Sequence, residues 1–264
     1  MTAEILKQGA ALPALDGERA AADARAWRRR EVALRWGVRA SLTSWTETLR
    51  HVRRPGDVGL RLAREVLGEV GRPMVAADRE RLSAQEHADL DLMMLDRVRE
   101  VLAGPRPQGG LLIAPASFFA LGTGSSRSRL IAALTELRTD ERGALIFEVE
   151  DVALGTPVDR IKEVLDALRP YCRGLVVRCA ATRAAVEALR GCALRGISLD
   201  MEGVNGRAGE AFGRVKLMAD RSKGIASDVM ALGLPASIPP EITVAGGASF
   251  HSVRPAGPER AGTT

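Results

Sequence analysis

Short apolar, β-branched segments recur along this chain at intervals that leave room for one helix between them, and few architectures accommodate that rhythm. Six of them begin near residues 111, 144, 174, 196, 224 and 242, and two earlier ones cover Val38–Leu42 and Val58–Leu62. Between many of them the apolar residues fall at helical spacing. The clearest case is Val158–Leu168, where Val158, Ile161, Val164, Leu165 and Leu168 share one face and Arg169-Pro170 stops the run. Ala84–Leu102, Arg127–Leu137, Ala181–Leu189 and Ala208–Ala219 follow the same spacing. Steps of roughly 20–30 residues suit βα units, and eight units make a barrel of about 250 residues. The expectation is therefore an α/β fold, a (β/α)8 TIM-like barrel over residues 36–255. An N-terminal helical extension or linker (1–35) precedes it and a disordered tail (256–264) follows. Pro235, Pro239 and Pro240 argue against a full helix between Ser227 and Glu241, and Ile242–Ala245 reads as the last strand.

With 46% hydrophobic residues in 264, the chain can bury a sizeable core. No apolar run approaches the roughly 18–20 residues of a membrane span, and the first residues lack the layout of a secretory signal. A soluble, cytoplasmic protein is expected. Cys172, Cys179 and Cys192 are odd in number and form no C-x-x-C pair, so they read as small apolar residues rather than a disulfide framework.

The net charge of +5 is unevenly placed. Between Arg25 and Arg54 stand nine arginines against Glu31 and Glu47, so the remainder is slightly acidic. Such a run can attract an acidic partner, though a solvated helix face or linker is the plainer reading. Three Trp, one Tyr and five Phe are too few to suggest stacking platforms for a nucleic acid strand. His51, His87 and His251 share no ligand spacing, and Met93-Met94 reads as core. Gly122-Thr-Gly124-Ser-Ser-Arg127 resembles a phosphate nest but lacks the residues of a P-loop. Ser125 or Ser126 capping the helix after it explains the segment. The segment with most chemical content is Leu145–Asp151, an apolar strand that ends in Glu148, Glu150 and Asp151. Acids at the carboxyl end of a barrel strand are where such folds keep metals and bases.

Taken in order, several strand ends resemble an EAL domain, the barrel family that hydrolyses cyclic dimeric GMP. The resemblance spans roughly Trp36 to Pro255. Arg64-Glu65-Val66-Leu67 is similar to the motif that names the family, and Asp89-Leu90-Asp91 to the helix after it. Leu111–Ser117 resembles the "v-N-l-S" strand, Phe147–Asp151 the "E-i-T-E" strand, and Leu194–Asp200 the "i-K-i-D" strand. Gly246–Phe250 with Pro255 resembles the closing segment.

The resemblance implies divalent metals held by carboxylates and an Asn, which activate the attacking water. Glu65, Glu148 and Asp200 fall on family site positions that keep an acid. The Asn position falls on Pro115 (or Ala114), and the paired Asp on Arg178-Cys179. The Lys position falls on Ser198, the final Gln on Ala245 or a neighbouring Gly, and the phosphate-gripping Arg on Glu69. A shifted register gives the phosphate role to Arg64, Arg61 or Arg72 instead. Glu148, Glu150 and Asp151 read as a residual metal site, as solvated acids or, the preferred reading with the metal gone, as the source of an internal ion pair between Glu148 and Arg178, since neighbouring strand ends lie about 5 Å apart. The resemblance thus implies a degenerate, catalytically inactive regulatory domain in bacterial signalling that works through a protein partner. A non-hydrolytic cyclic dimeric GMP receptor is the alternative, and a weak phosphodiesterase the third. No cofactor is expected, Mg²⁺ being held weakly at best; no nucleic acid polymer is expected as partner, and a homodimer is possible through family habit.

Overall fold

A computed structural model describes residues 27–35, 38–69, 71–104, 110–201, 204 and 207–256. Nine strands form one sheet: β1 (Arg28–Ala33), β2 (Arg39–His51), β3 (Asp57–Leu67), β4 (Leu111–Ser117), β5 (Leu145–Glu150), β6 (Gly174–Arg178), β7 (Leu194–Asp200), β8 (Ala226–Leu234) and β9 (Phe250–Val253). They are neighbours in sequence order, and an additional β2–β9 pairing closes β2 to β9 into an eight-stranded barrel. The helices are α1 (Ala76–Arg79), α2 (Ala84–Ala103), α3 (Phe118–Gly122), α4 (Gly124–Thr135), α5 (Thr139–Ala144), α6 (Val158–Leu168), α7 (Arg183–Glu187), α8 (Ala208–Arg221) and α9 (Pro240–Ala245).

β3 to β9 run parallel, whereas β2 is antiparallel to both β3 and β9. The cause is local. Only residues 52–56 separate β2 from β3, with Gly56 at φ +84° in the turn. A parallel crossover needs a dozen or more residues, so five can only reverse the chain into a hairpin.

The elements follow from pattern. β5 is buried at every position, as a strand covered on both faces must be. α6 buries Ile161, Val164, Leu165 and Leu168 as one stripe, and α2 opens on a capping box between Ser83 and Glu86. One large cluster packs helices against the barrel's outside. A second, formed by Leu49, Ile113, Ile146, Val176, Met230, Leu232 and Phe250, fills the barrel interior.

Three sequence expectations change. Residues 28–33 are a strand rather than a helix or linker, while residues 1–26 and 257–264 lie outside the described residues. β1 has almost no burial pattern, so nothing local marks it. It exists because β2 is thirteen residues long and β9 pairs only with Leu49–His51, which leaves the other end of β2 as an open edge. Ile242–Ala245 belongs to helix α9, where Pro239 and Pro240 preset the first turn. The two last strands lie instead at Ala226–Leu234 and Phe250–Val253. Finally, α4 begins at Gly124 with Thr123 as its N-cap, so neither Ser125 nor Ser126 caps it.

The basic run is not one surface. Arg28 to Arg30 pair in register with Leu42 to Ser44, whereas Arg50 lies opposite His251. Eight residue steps separate Leu42 from Arg50, roughly 25 Å of β2. The two arginine clusters therefore sit at opposite ends of the barrel.

Candidate functional site

Alternation along the strands stacks the interior in layers. One step of two residues beyond the apolar layer, toward the carboxyl ends of the parallel strands, Leu49 gives way to Glu47, Ile146 to Glu148, Val176 to Arg178 and Phe250 to Ser252. Arg61 and Ser198 complete this polar layer. One step further stand Trp45, Glu150 and Arg254 at the barrel mouth.

Glu148 is the hub. Its side chain has no exposure, and each oxygen accepts two hydrogen bonds. Oε1 takes Arg178 Nε (3.1 Å) and Ser198 Oγ (2.6 Å), and Oε2 takes Arg61 Nε (3.1 Å) and Arg178 Nη2 (3.1 Å). Burial opposes its charge, but Arg178 and Arg61 outweigh that and hold its carboxyl well below the usual carboxylate range. From this hub the charges alternate in both directions. Arg61 Nη1 also donates to Glu47 Oε2 at 3.0 Å, directly across the β2–β3 ladder. Arg178 Nη2 reaches Glu150 Oε1 at 2.8 Å, Arg64 Nε reaches Glu150 Oε2 at 3.3 Å, and Arg64 Nη1 reaches Asp91 Oδ1 of α2 at 2.5 Å. Burial, with smaller contributions from the charges of Glu148 and Asp151, pushes Glu150 up, and Arg178 and Arg64 pull against it. A network of this kind is stable only while each member keeps its partners.

The other expected site residues are dispersed. Glu65 pairs with Arg254 at 3.7 Å and is not a partner of Glu148. Asp200 closes β7, and its side chain lies outside the described residues. Pro115 is the in-register neighbour of Glu148 on β4 and brings no side-chain oxygen; Ser198 is the neighbour of Arg178. Glu69 is an exposed turn residue that accepts the Arg39 amide at 3.2 Å. Burial pushes the Cys179 thiol up to about 12, which makes it a poor nucleophile. Of the candidate phosphate arginines, Arg61 and Arg64 are held in the network and Arg72 is exposed.

Two cavities meet at the mouth. One of about 460 Å³ is lined by Arg64, Glu65, Arg79, His87, Glu150, Asp151 and Arg178, with Val66, Met74 and Leu90 on its apolar side. The other, about 540 Å³, shares Asp151 and Arg178 with it and extends to Thr182 and Arg214. Asp151, at their junction, has φ +61°, a conformation that Asp tolerates better than most residues. Its carboxylate faces Arg79 at 3.4 Å. Beneath the first cavity, His87 Nδ1 accepts from Ser117 Oγ (3.0 Å) while Nε2 donates to the Arg79 carbonyl (3.0 Å). Ser117 is wholly buried, so the pair ties the end of β4 to α2 rather than offering a nucleophile.

Sequence reasoning missed Glu47, Trp45, Ser252 and Arg254, and it considered Arg61 for a phosphate rather than for the ion pairs with Glu47 and Glu148. A signal existed: Glu47 is in phase with Trp45 and Leu49, and an acid in phase with two large apolar residues faces inward.

The fold matches solved structures. The EAL domain of FimX from Pseudomonas aeruginosa, bound to c-di-GMP, matches with a TM-score of 0.54 at 13% identity, over 89% of this chain and 91% of that one. The chain has the fold of an EAL domain. The S helix-GGDEF-EAL unit of LapD from Vibrio cholerae, bound to c-di-GMP, matches at TM-score 0.59 and 9% identity, over 80% of this chain and 52% of that one. Bacillus subtilis YkuI, a protein with an EAL domain in complex with c-di-GMP and calcium, matches at 0.57 and 9%, over 79% and 52%. The chain thus spans about half the length of the LapD unit and of YkuI and most of the FimX domain. No protein-family model matches the sequence, and no curated protein matches it either. The EAL-type barrel is the α/β fold expected from the strand–helix rhythm. No helix among the described residues is long and apolar enough to cross a membrane.

Proposed function

We propose that this chain is a non-hydrolytic EAL-type regulatory domain in c-di-GMP signalling that acts through contact with a protein partner. The observation that carries the reading is the saturation of Glu148. A hard divalent cation needs oxygen ligands converging from several strands. Both oxygens of Glu148 already accept two hydrogen bonds each, three of those four from guanidinium groups. Glu150 and Asp91 are likewise tied to Arg178 and Arg64. Pro115, beside Glu148, adds no ligand. These residues do not fit a catalytic metal, because an incoming cation would meet Arg61 and Arg178 at the same carboxylate. The test is incubation with c-di-GMP and Mg²⁺ or Mn²⁺, following the linear dinucleotide. No turnover is expected, and metal-dependent turnover abolished by Glu148→Gln would overturn the reading.

The mouth cavities favour a second reading, a receptor that binds c-di-GMP without cleaving it. Arg64, Arg79 and Arg178 line a space of about 460 Å³, and FimX and LapD are solved with that ligand. Calorimetric titration in Mg²⁺ and then in EDTA separates the two. A Kd below about 10 µM, roughly −7 kcal/mol, selects the receptor, and no heat selects the scaffold. Binding gained on Glu69→Arg would mean that this charge alone keeps the nucleotide out. The proposed contacts are protein–protein, with homodimerisation included, and the protein is proposed to act in the cytoplasm.

A further inference from the structure

The opposite end of the barrel carries a cavity that the proposed function does not use. It has a volume of about 880 Å³, wider than either cavity at the mouth, and lies where the β2–β3 turn meets the starts of β4, β6 and β7. Three arginines line it, Arg54, Arg173 and Arg195, with His51 beside them and two carboxylates, Asp57 and Asp228.

The carboxylates are already engaged. Asp57 accepts from Arg50 Nε at 3.1 Å, which also fixes the turn, and Asp228 faces Arg195 at 3.8 Å. At that distance Arg195 Nε makes no hydrogen bond, although it is buried. Among the described residues Arg54 and Arg173 have no ion-pair or hydrogen-bond partner for their guanidinium groups. His51 Nδ1 accepts the Arg53 amide at 3.0 Å, which leaves Nε2 as the protonated, donating nitrogen. The cavity thus presents a surplus of donors and positive charge.

Its wall is also built. At Gly174 a Cβ would lie 3.1 Å from Arg195 Cδ and 3.3 Å from Arg195 Cβ, so the glycine makes the room in which that side chain lies. Val58, Leu111 and Phe250 supply an apolar surface, and Phe250 stands edge-on to the His51 ring at 4.8 Å.

We propose that this end of the barrel binds a phosphate monoester with an apolar or aromatic body, the phosphate held by Arg54 and Arg173 and the body seated against Phe250 and Leu111. Two guanidinium forks match a phosphate dianion, and the volume exceeds what a bare phosphate fills. The site is independent of the mouth and of the c-di-GMP reading.

The experiment uses phenyl phosphate as probe, with inorganic phosphate and phenol titrated separately, followed by amide chemical shifts at low salt. Saturable binding of phenyl phosphate at or below about 10 mM is expected, with shifts confined to residues 51–58, 111, 173, 195, 228 and 250. Arg54→Ala and Arg173→Ala, both exposed side chains, should each weaken it about tenfold, as loss of a hydrogen bond to a charged group does. Arg72→Ala, on a turn next to the other end, should leave it unchanged. Equal affinity for inorganic phosphate would overturn the two-part ligand. Absence of saturable binding, or binding insensitive to Arg54→Ala and Arg173→Ala, would overturn the site.

Discussion

Replacing Glu148 with Gln tests the network at its hub. The substitution keeps shape and removes one charge from a side chain with no exposure, flanked by Arg61 at 3% and Arg178 at 22%. Deleting one partner of a buried ion pair costs about 3–5 kcal/mol, because the remaining charge stays buried without compensation. Here Arg61 keeps Glu47 and Arg178 keeps Glu150, so the lower end applies, about 3 kcal/mol. For a domain of this size that lowers Tm by roughly 6–12 °C. The pH dependence carries a separate signature. Glu148 is held below its unfolded value of 4.5, so its contribution is fully present above that pH and fades as pH falls through it. The gap between wild type and Glu148→Gln should therefore narrow in acid. Urea unfolding across a pH series measures both quantities. A loss under about 1 kcal/mol at neutral pH, or a gap that does not narrow in acid, would refute the claim that Glu148 is committed to the arginines.

Arg64→Met should cost about 3–5 kcal/mol, and more at neutral than at mildly acidic pH. Burial raises the carboxyls of Asp91 and Glu150, and a raised carboxyl loses its contribution to stability as pH rises. Denaturant titration at two pH values would show neither a loss nor a pH dependence if Arg64 were dispensable. Trp27 stacks on Trp45 with ring centroids 4.5 Å apart, and Arg254 lies over both rings. Trp27→Ala should lower stability by about 1–2 kcal/mol and shift the emission of Trp45, and unchanged fluorescence would count against the stack. At Gly59 an added Cβ would lie 2.3 Å from the Leu111 carbonyl oxygen, so Gly59→Ala should cost about 3 kcal/mol in chemical unfolding. Gly124→Ala, with nothing within 4 Å, should cost nothing.

What the sequence determined is what periodicity encodes. The boundaries of Val158–Leu168 followed from an apolar stripe with an Arg-Pro stop, and the strand expected over Ala144–Val149 lies within one residue of the observed Leu145–Glu150. The pairing of Glu148 with Arg178 was also legible, because both lie near the carboxyl ends of the neighbouring parallel strands β5 and β6. Tertiary structure decided the rest. β1 became a strand only because the long β2 offered an open edge, a fact absent from residues 28–33 themselves. The β-branched Ile242, Thr243 and Val244 became helical because Pro239 and Pro240 started a turn and β9 took the barrel's last place. Arg61 read as a candidate phosphate-gripping arginine until hairpin register set it opposite Glu47 and barrel closure set it against Glu148. Strand propensity and helix spacing are properties of a few adjacent residues. Which charges share a buried layer depends on register between strands that meet only when the barrel closes.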